Sequence, residues 1–329
     1  MKLLVTGGLG FIGSNFILYI LKNYPTYEII NIDDEISGSN HLSLKDIQNN
    51  KNYTFVKGNI TDYNLMEKLI SKCDLIVNFA AESHVDRSIA NARPFIDSNI
   101  MGTFTILELL KNYKSKRLIQ ISTDEVFGDL KSGSATEDFK LNPSSPYSSS
   151  KASAELLVNS YIITYGINAI ITRCTNNYGP RQHPEKLIPK IIILADQNKK
   201  IPIYNNGNGV RDWIHVEEHC KAISKILHNG VSGEYYNISA KNELNVLTIV
   251  QKILSIMKKP SDGYVFAENR PGHDDRYSLN SSKLQDSLGW KPHIEFEKGL
   301  EETVSWYLNN KKWWSNFDLT FMDSYQWKT

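Results

Sequence analysis

A short apolar strand that runs directly into a glycine-rich turn constrains the fold of this chain more than any other feature. Residues 2–6 (KLLVT) precede glycines at positions 7, 8, 10 and 13, and a helical pattern follows to about Leu21. Glycines at this spacing let the backbone turn tightly, approach a pyrophosphate and pack a helix against a strand. Because a helix N-terminus also attracts anions, the turn predicts a dinucleotide-binding βαβ unit.

An acidic residue at the end of the next predicted strand indicates which dinucleotide binds. Asp33 ends the run IINID, 20 residues after Gly13. A carboxylate at this place bonds the ribose hydroxyls of adenosine and repels a 2′-phosphate, so we expect NAD rather than NADP. After the predicted strand 74–79, the small residues Ala80 and Ala81 would let the cofactor lie against the strand end.

Strands and helices alternate through the first half of the chain. Further strands of this alternating pattern are predicted at 53–57, 74–79, 116–121 and 167–173. Such alternation is typical of an α/β doubly wound (Rossmann) parallel sheet. We place an NAD-binding Rossmann domain at 1–178, with a returning segment at about 211–240. Residues 179–329 are expected to form mainly a smaller, interleaved α/β substrate-binding domain and a C-terminal tail.

Two segments of the second half lead to more specific expectations. Residues 205–209 are rich in Gly and Asn, which predicts a hairpin between residues 202–204 and a strand near Arg211. The aromatic tail from Lys311 has little periodicity. We expect it to dock on the surface, to extend a dimer contact or to stay partly disordered.

Composition gives no reason to expect several classes of partner. With a formal net charge of +1, the chain has no electrostatic reason to bind nucleic acid or an anionic membrane. No apolar run approaches the roughly 20 residues of a membrane span, and the first strand leaves no room for a signal peptide, so we expect a cytoplasmic protein. Cys73, Cys174 and Cys220 imply no disulfide framework, and we expect no metal site.

Two adjacent carboxylates follow the predicted strand 116–121. Asp124 and Glu125 would lie at the carboxyl end of this strand, where open α/β sheets bind their ligands. A general acid and a general base can share one site if their environments separate the two pKa values. Considered alone, the pair is more typical of a solvated turn or a helix N-cap.

A tyrosine and a lysine four residues apart begin the helix that starts near Pro146. Tyr147 and Lys151 would share one helical face. An ammonium beside the phenol favours the phenolate, so we expect Lys151 to lower the pKa of Tyr147 and make it a usable base. By itself the pair is also common on solvated helix surfaces.

The chain resembles the dTDP-glucose 4,6-dehydratases, a branch of the extended short-chain dehydrogenase/reductase family, from Met1 to about Asn310. The resemblance is carried by the segments TGGLGFIG, FAAESHVDRSI, STDEVFG, PYSSSK, NNYGPRQHPEKLIP, RDWIHVEEH and RPGHDDR. The glycine turn and the Tyr-x-x-x-Lys spacing identify only the superfamily. The Asp124-Glu125 pair separates the dehydratases from the sugar-nucleotide epimerases.

This resemblance implies an NAD-dependent hydro-lyase that makes dTDP-4-keto-6-deoxyglucose from dTDP-glucose, a step of deoxysugar and rhamnose precursor biosynthesis. Tyr147 would deprotonate the 4-hydroxyl while hydride leaves for NAD⁺. Lys151 would tune Tyr147 and hold the nicotinamide ribose, and Thr123 would orient the hexose. Glu125 would remove the proton on carbon 5, and Asp124 would protonate the departing 6-hydroxyl.

The resemblance also implies the binding residues and the oligomer. The implied cofactor contacts are Gly7, Gly10, Phe11, Ile12, Gly13, Asp33, Asn59, Ile60, Ala80, Ala81, Ser83, Asn99, Tyr147, Lys151 and Asn177. The implied substrate contacts are Ser83, Thr123, Asn176, Lys186, Leu187, Pro202, Tyr204, Arg211, Asn245, Arg270, His273 and Asp274. The helix of Tyr147 and a long helix at about 93–112 would form a four-helix bundle in a homodimer.

Two positions depart from the family pattern, and two other functions remain open. Phe127 replaces the usual Tyr, and Asn59 stands where an Asp often contacts adenine.

The chain could instead be a different sugar-nucleotide dehydratase or a 4-epimerase that acts on a UDP-hexose. It could also be a non-catalytic NAD-binding regulator, which would require damage to the Tyr-Lys or acid/base pair, but both are intact.

Overall fold

A parallel sheet of seven strands organises the first half of the structure, a computed structural model that describes residues 1–36, 38–269, 271–323 and 326–328. The strands of the described chain are β1 (Lys2–Thr6), β2 (Glu28–Asp33), β3 (Tyr53–Lys57), β4 (Leu75–Asn78), β5 (Arg117–Thr123), β6 (Asn168–Cys174), β7 (Asn176–Tyr178), β8 (Ile201–Ile203), β9 (Val210–His215), β10 (Tyr235–Ile238), β11 (Glu243–Asn245) and β12 (Tyr264–Phe266). The order across the main sheet is β10-β6-β5-β4-β1-β2-β3. The predicted doubly wound α/β fold is confirmed.

Helices cover both faces of this sheet. The helices of the described chain are α1 (Phe11–Asn23), α2 (Tyr63–Ile70), α3 (Val85–Ala90), α4 (Arg93–Phe95), α5 (Gly102–Leu110), α6 (Pro146–Tyr165), α7 (Leu187–Asp196), α8 (Val216–Asn229), α9 (Val246–Ile256), α10 (Ser282–Leu288), α11 (Phe296–Asn309) and α12 (Lys311–Trp314). Side chains alternate across β1, so Leu3 and Val5 join the core with α1 and α8 while Leu4 joins the core with α2, α5 and α6. A ligand crevice is expected where the strand order reverses, between β1 and β4.

The long helix predicted at about 93–112 is interrupted by a different helical type. Between α4 and α5 the chain forms a π-helical turn, Ile96–Met101. Such turns insert one residue into the helical repeat and often occur at functional sites.

The second half adds two small sheets at the carboxyl end of the main one. β7 pairs in parallel with β9, which pairs antiparallel with β11. The predicted hairpin at 205–209 is wrong, because β8 pairs in parallel with the remote β12 and not with β9. Asn205, Asn206 and Gly207 all have left-handed backbone, with φ of 49°, 50° and 76°, a conformation that Asn and Gly adopt more readily than other residues.

Two elements of the segment predicted to return to the first half lie against the main sheet and its helices. α8 packs against α1, and β10 forms the edge of the main sheet beside β6. The domain boundaries themselves remain a prediction.

The described part of the aromatic tail docks on the rest of the chain. Trp313 and Trp314 are buried in a second core, formed with α7, α9 and α11. The indole N–H of Trp313 donates to Oγ of Ser43 (3.1 Å), and its carbonyl accepts from Nδ2 of Asn40 (3.0 Å). The tail therefore touches both halves of the molecule. Throughout the described residues, the structure contains no helix with the length and apolar character that crossing a membrane requires.

Candidate functional site

A cleft opens along the carboxyl ends of the central strands. It brings together the predicted residues Gly7, Gly10, Phe11, Ile12, Gly13, Asp33, Asn59, Ile60, Ala80, Ala81, Ser83, Thr123, Asp124, Glu125, Tyr147, Lys151, Asn176, Asn177 and Lys186. Residues far apart in sequence thus meet at the switch point of the sheet. Among the described side chains, no group of three His, Cys, Asp or Glu residues is placed to hold a metal ion.

The glycine turn after β1 fits a dinucleotide on steric and electrostatic grounds. Gly7 has a φ of +67°, and a Cβ there would lie 2.8 Å from Cα of Ala80. A Cβ at Gly13 would lie 2.4 Å from the carbonyl oxygen of Gly7. Within the described chain, the first turn of α1 has neither a side-chain cap nor an acidic residue. Its amides and dipole are therefore available to a pyrophosphate.

Asp33 braces the loop on the adenosine side of the cleft. One carboxylate oxygen accepts from the N–H of Leu9 (2.9 Å), and the other accepts from the N–H of Glu35 (3.0 Å) and from Oγ of Ser39 (2.6 Å). Each oxygen can accept two hydrogen bonds, so the first retains capacity for a ribose hydroxyl. Asn59 donates to Oδ2 of nearby Asp34 (2.7 Å).

Asp124 and Glu125 occupy clearly different environments. Asp124 is 3% exposed, and Oδ1 accepts from the Thr123 hydroxyl (3.1 Å), whereas Oδ2 has no hydrogen-bond partner among the described residues. Burial, reinforced by the negative charge of Glu125, raises the pKa of Asp124 well above its ordinary value. Glu125 is only partly buried. The site thus offers a buried proton donor next to a more accessible carboxyl group.

The helix α6 starts in a reciprocal cap that fixes the position of its first turn. Oγ of Ser145 accepts from the N–H of Ser148 (3.1 Å), and Oγ of Ser148 accepts from the N–H of Ser145 (3.0 Å). Pro146 occupies the first turn, where no N–H is needed. This cap holds Tyr147 at the bottom of the cleft.

Lys151 does not lower the pKa of Tyr147 in the chain alone, so that expectation is wrong. The Lys151 ammonium donates to the carbonyl of Ile121 (2.6 Å), and burial lowers the Lys151 pKa to about 8. Burial raises the pKa of Tyr147 well above 10, and the charge of Glu125 adds to this effect. The hydroxyl of Thr123 opposes the shift by hydrogen bonding the phenol. Desolvation, which sequence spacing does not reveal, is the largest cause of this shift.

Asn99 does not line the cleft, but it contacts Glu82, which does. The π-helical turn points its amide at the main chain of Glu82, where Oδ1 accepts from the N–H (2.9 Å) and Nδ2 donates to the carbonyl (3.0 Å). Nδ2 also donates to Oγ of Ser150 on α6 (2.8 Å). Asn99 therefore ties the loop after β4 to the helix of Tyr147, and a direct contact with the cofactor remains a prediction.

Several predicted substrate residues lie outside the lining of this cleft. They are Leu187, Pro202, Tyr204, Arg211, Asn245, His273 and Asp274. Arg211 donates to the carbonyls of Val210 (2.8 Å) and Asp274 (2.9 Å), while its charge reaches Asp124. Arg270, another implied substrate contact, lies outside the described residues.

His219 is a candidate positioning residue to which the sequence analysis assigned no role. It is fully buried on α8, and its Nδ1 lies 2.9 Å from Oδ1 of Asn177. Nδ2 of Asn177 donates to the carbonyl of Thr175 (3.0 Å), which can only accept, so Oδ1 must face His219 and Nδ1 must carry the proton. Burial lowers the His219 pKa to about 3, so the ring stays neutral. The available signal was its place in the segment RDWIHVEEH.

Arg87 and Glu185, which had no assigned role, connect the two halves beside the cleft. Arg87 on α3 donates to Oε1 of Glu185 (3.0 Å), just before α7. Lys186 donates to the carbonyl of Ser83 (2.7 Å). Burial alone would raise the pKa of Glu185, but the surrounding basic side chains lower it to about 2. Sequence spacing could not pair residues 98 positions apart, although both lie in segments that carry the family resemblance.

Comparison with known proteins identifies one family over nearly the whole chain. The profile of the family described as GDP-mannose 4,6 dehydratase matches residues 4–303. Among curated proteins, the low-salt glycan biosynthesis protein Agl12 of Haloferax volcanii is 46% identical, with 94% of this chain and 99% of that protein covered. The dTDP-glucose 4,6-dehydratase of Mycolicibacterium smegmatis is 43% identical, with 99% of both proteins covered.

A solved structure gives the same relationship in three dimensions. The dTDP-glucose 4,6-dehydratase of Bacillus anthracis, solved in complex with NAD, superposes with a TM-score of 0.91. It is 47% identical, and the match covers 96% of this chain and 99% of that one. The similarity therefore includes the cleft as well as the sheet.

We predict that dinucleotide affinity depends on the donor nitrogen that faces Asn177 and not on the imidazole ring itself. His219→Asn can place an amide N–H near the position of Nδ1, whereas His219→Gln reaches the position of Nε2 and leaves Oδ1 of Asn177 without a donor. Loss of that bond costs on the order of 1–3 kcal/mol. The Gln variant should therefore bind the dinucleotide about 5- to 150-fold less tightly than the Asn variant.

Both substitutions remove the buried ring and can leave a cavity. The unfolding temperatures of the two variants show whether that cavity destabilises them equally. Dinucleotide affinity is measured by titration of the stripped proteins. Equal affinity in the two variants, at equal unfolding temperature, would contradict the role assigned to His219.

Proposed function

The chain belongs to the family described as GDP-mannose 4,6 dehydratase, and from that premise we propose that it is a dTDP-glucose 4,6-dehydratase. The reaction converts dTDP-glucose into dTDP-4-keto-6-deoxyglucose and water. The observation that carries the proposal is the Asp124-Glu125 pair, placed beside Tyr147 at the end of β5. An epimerase has no step that needs this acid/base pair. The dehydratase relatives support the same choice.

The different surroundings of Asp124 and Glu125 suit an acid and a base. Tyr147 takes the proton of the 4-hydroxyl, and Thr123, bonded to both the phenol and Asp124, orients the hexose. Glu125 removes the proton on carbon 5, which the 4-keto group acidifies. Asp124, protonated because it is buried, donates its proton as the C6–O bond breaks and water leaves. Glu125, whose acquired proton exchanges with solvent, gives a proton back to carbon 5 when the double bond is reduced.

NAD is the cofactor that this chain uses. When bound, it supplies the hydride acceptor at carbon 4 and returns the same hydride to carbon 6. The glycine turn would hold its pyrophosphate, Asp33 its adenosine ribose, and Lys151 its nicotinamide ribose. Because each cycle regenerates NAD⁺, the protein has no need to release it between turnovers.

The substrate would extend from the hexose site toward the second half of the chain. Ser83, Asn176 and Lys186 line the cleft near Glu125, whose negative charge acts on Lys186. Beyond them, Arg211 and Tyr204 would contact the diphosphate and the nucleoside. A cytoplasmic location and a place in deoxysugar biosynthesis remain predictions.

Exposed apolar side chains on two neighbouring helices support a homodimer. Ile96, Met101 and Phe104 project from the helical stretch that ends in α5, and Leu156 and Ile163 project from α6. Leu156 is 59% exposed and Ile163 is 76% exposed, seven residues apart on one helical face. The helices α5 and α6 pack together, so a second copy that covers their exposed apolar side chains would complete a four-helix bundle.

Separating the two halves of the reaction tests the proposed function. Glu125→Gln keeps the shape of the side chain but removes the base, so oxidation should proceed while elimination slows by about 10²-fold or more. Mixed with dTDP-glucose, this variant should accumulate enzyme-bound NADH and a 4-keto sugar that retains its 6-hydroxyl. Tyr147→Phe blocks the first step and should accumulate neither. Absorbance and mass spectrometry of the quenched mixture follow both products.

Heavy water provides the matching test on the unmodified protein. The product should carry one solvent deuterium at carbon 5 and none at carbon 6, because the hydride moves within the sugar. A 4-epimerase would return an epimer without deuterium at carbon 5. Full dehydration by Glu125→Gln would also remove the basis for the proposal. Parallel incubation with UDP-glucose distinguishes a dehydratase that acts on another nucleotide sugar.

The dimer surface is tested by placing a charge at its most exposed apolar residue. Ile163→Asp should yield monomers at micromolar concentration while the parent chain sediments at twice the monomer mass, since a buried unpaired carboxylate opposes association. Val231→Asp, a similar change at a residue 59% exposed elsewhere, should stay dimeric. A dimeric Ile163→Asp variant would rule out this surface as the interface.

A further inference from the structure

The end of the aromatic tail lies against a residue expected to contact the nucleoside. Trp327 is 9% exposed, and its ring meets that of Tyr204 edge to face, with centroids 5.1 Å apart and planes at 82°. Tyr204 follows β8 and is only partly buried. Part of its ring surface therefore remains accessible while Trp327 covers another part.

The same short segment also reaches the first half of the molecule. Residues Gln326–Lys328 pack against α3, which carries the cleft residue Arg87. The ammonium of Lys328 donates to Oε2 of Glu268, just after β12 (2.5 Å). The segment thus links α3 to the chain just after β12.

An earlier part of the tail supports another wall of the cleft. The ring of Phe317 meets that of His183 with centroids 4.4 Å apart and planes at 79°. Phe321 approaches the same imidazole at 5.8 Å. His183 lines the cleft, so the tail supports it from behind and also covers Tyr204.

We propose that Trp327 is a positioning residue for substrate recognition, which holds the ring of Tyr204 in the orientation that contacts the nucleoside. An aromatic ring held before the ligand arrives loses less freedom on binding, so its contact contributes more to affinity. The effect should appear in nucleotide binding and KM rather than in the chemical steps, which occur at Asp124, Glu125 and Tyr147. The inference rests on the proposed function, because the nucleoside contact of Tyr204 does.

Three variants separate this role from a merely structural one. Trp327→Ala removes the edge-to-face contact, Trp327→Phe restores an aromatic ring, and Asn316→Ala changes an exposed tail residue as a control. Trp327→Ala should weaken binding of dTDP about fivefold and raise KM for dTDP-glucose by a similar factor. Its kcat and its content of bound NAD should stay within twofold of the parent chain. Trp327→Phe should recover most of the affinity, and Asn316→Ala should match the parent.

Other outcomes overturn the inference. Binding of dTDP by Trp327→Ala within twofold of the parent would show that Tyr204 needs no support. A fall in kcat and bound NAD without a change in KM would assign the tail a general structural role, as would failure of Trp327→Phe to restore affinity. A parent chain that binds dTDP and fails to dehydrate dTDP-glucose would instead refute the proposed function. A parent that does neither would refute both.

Discussion

Removal of the Asp124 carboxyl group from water is the constraint from which the chemistry of this site follows. The group sits at the end of β5, between β4 and β6, where the surrounding strands and helices leave it 3% exposed. An ionised carboxylate there would need compensation that the single bond from Thr123 does not supply. Burial therefore favours the protonated form of Asp124, while its more accessible neighbour Glu125 is placed to act as the base. One dipeptide thus provides both an acid and a base because burial differs across a single residue.

The same edge of the sheet explains why the remaining groups are held so firmly. Lys151 is fastened to the carbonyl of Ile121 in β5, and Asn99 connects the loop after β4 to α6. His219 fixes the amide of Asn177 just after β6. Each bond satisfies a buried polar group at the end of a strand, which is where irregular backbone would otherwise leave groups unpaired. The hydrogen bonds that satisfy these buried polar groups therefore also hold the side chains of the site in position.

Local features of the sequence predicted the fold and most of the cleft. The turn at Gly7 and Gly13, Asp33 and the spacing of Tyr147 and Lys151 each depend on residues close together in the chain. Features that depend on remote segments were missed. The pairing of β8 with β12 joins residues about 60 positions apart, and the pKa of Tyr147 rises because of burial that spacing cannot reveal. The partnership of His219 with Asn177, and that of Trp327 with Tyr204, likewise exist only once the chain is folded.

The protonation state of Asp124 tests this account most directly. Infrared difference spectra between the parent chain and Asp124→Asn, recorded from pH 6 to 9, isolate its carboxyl band. The account predicts a protonated carboxyl at pH 7 that loses its proton only as the pH rises further. In Glu125→Gln the band should disappear at lower pH, because the charge of Glu125 helps to raise the pKa of Asp124. An ionised Asp124 at pH 7 in the parent chain would contradict its role as the acid.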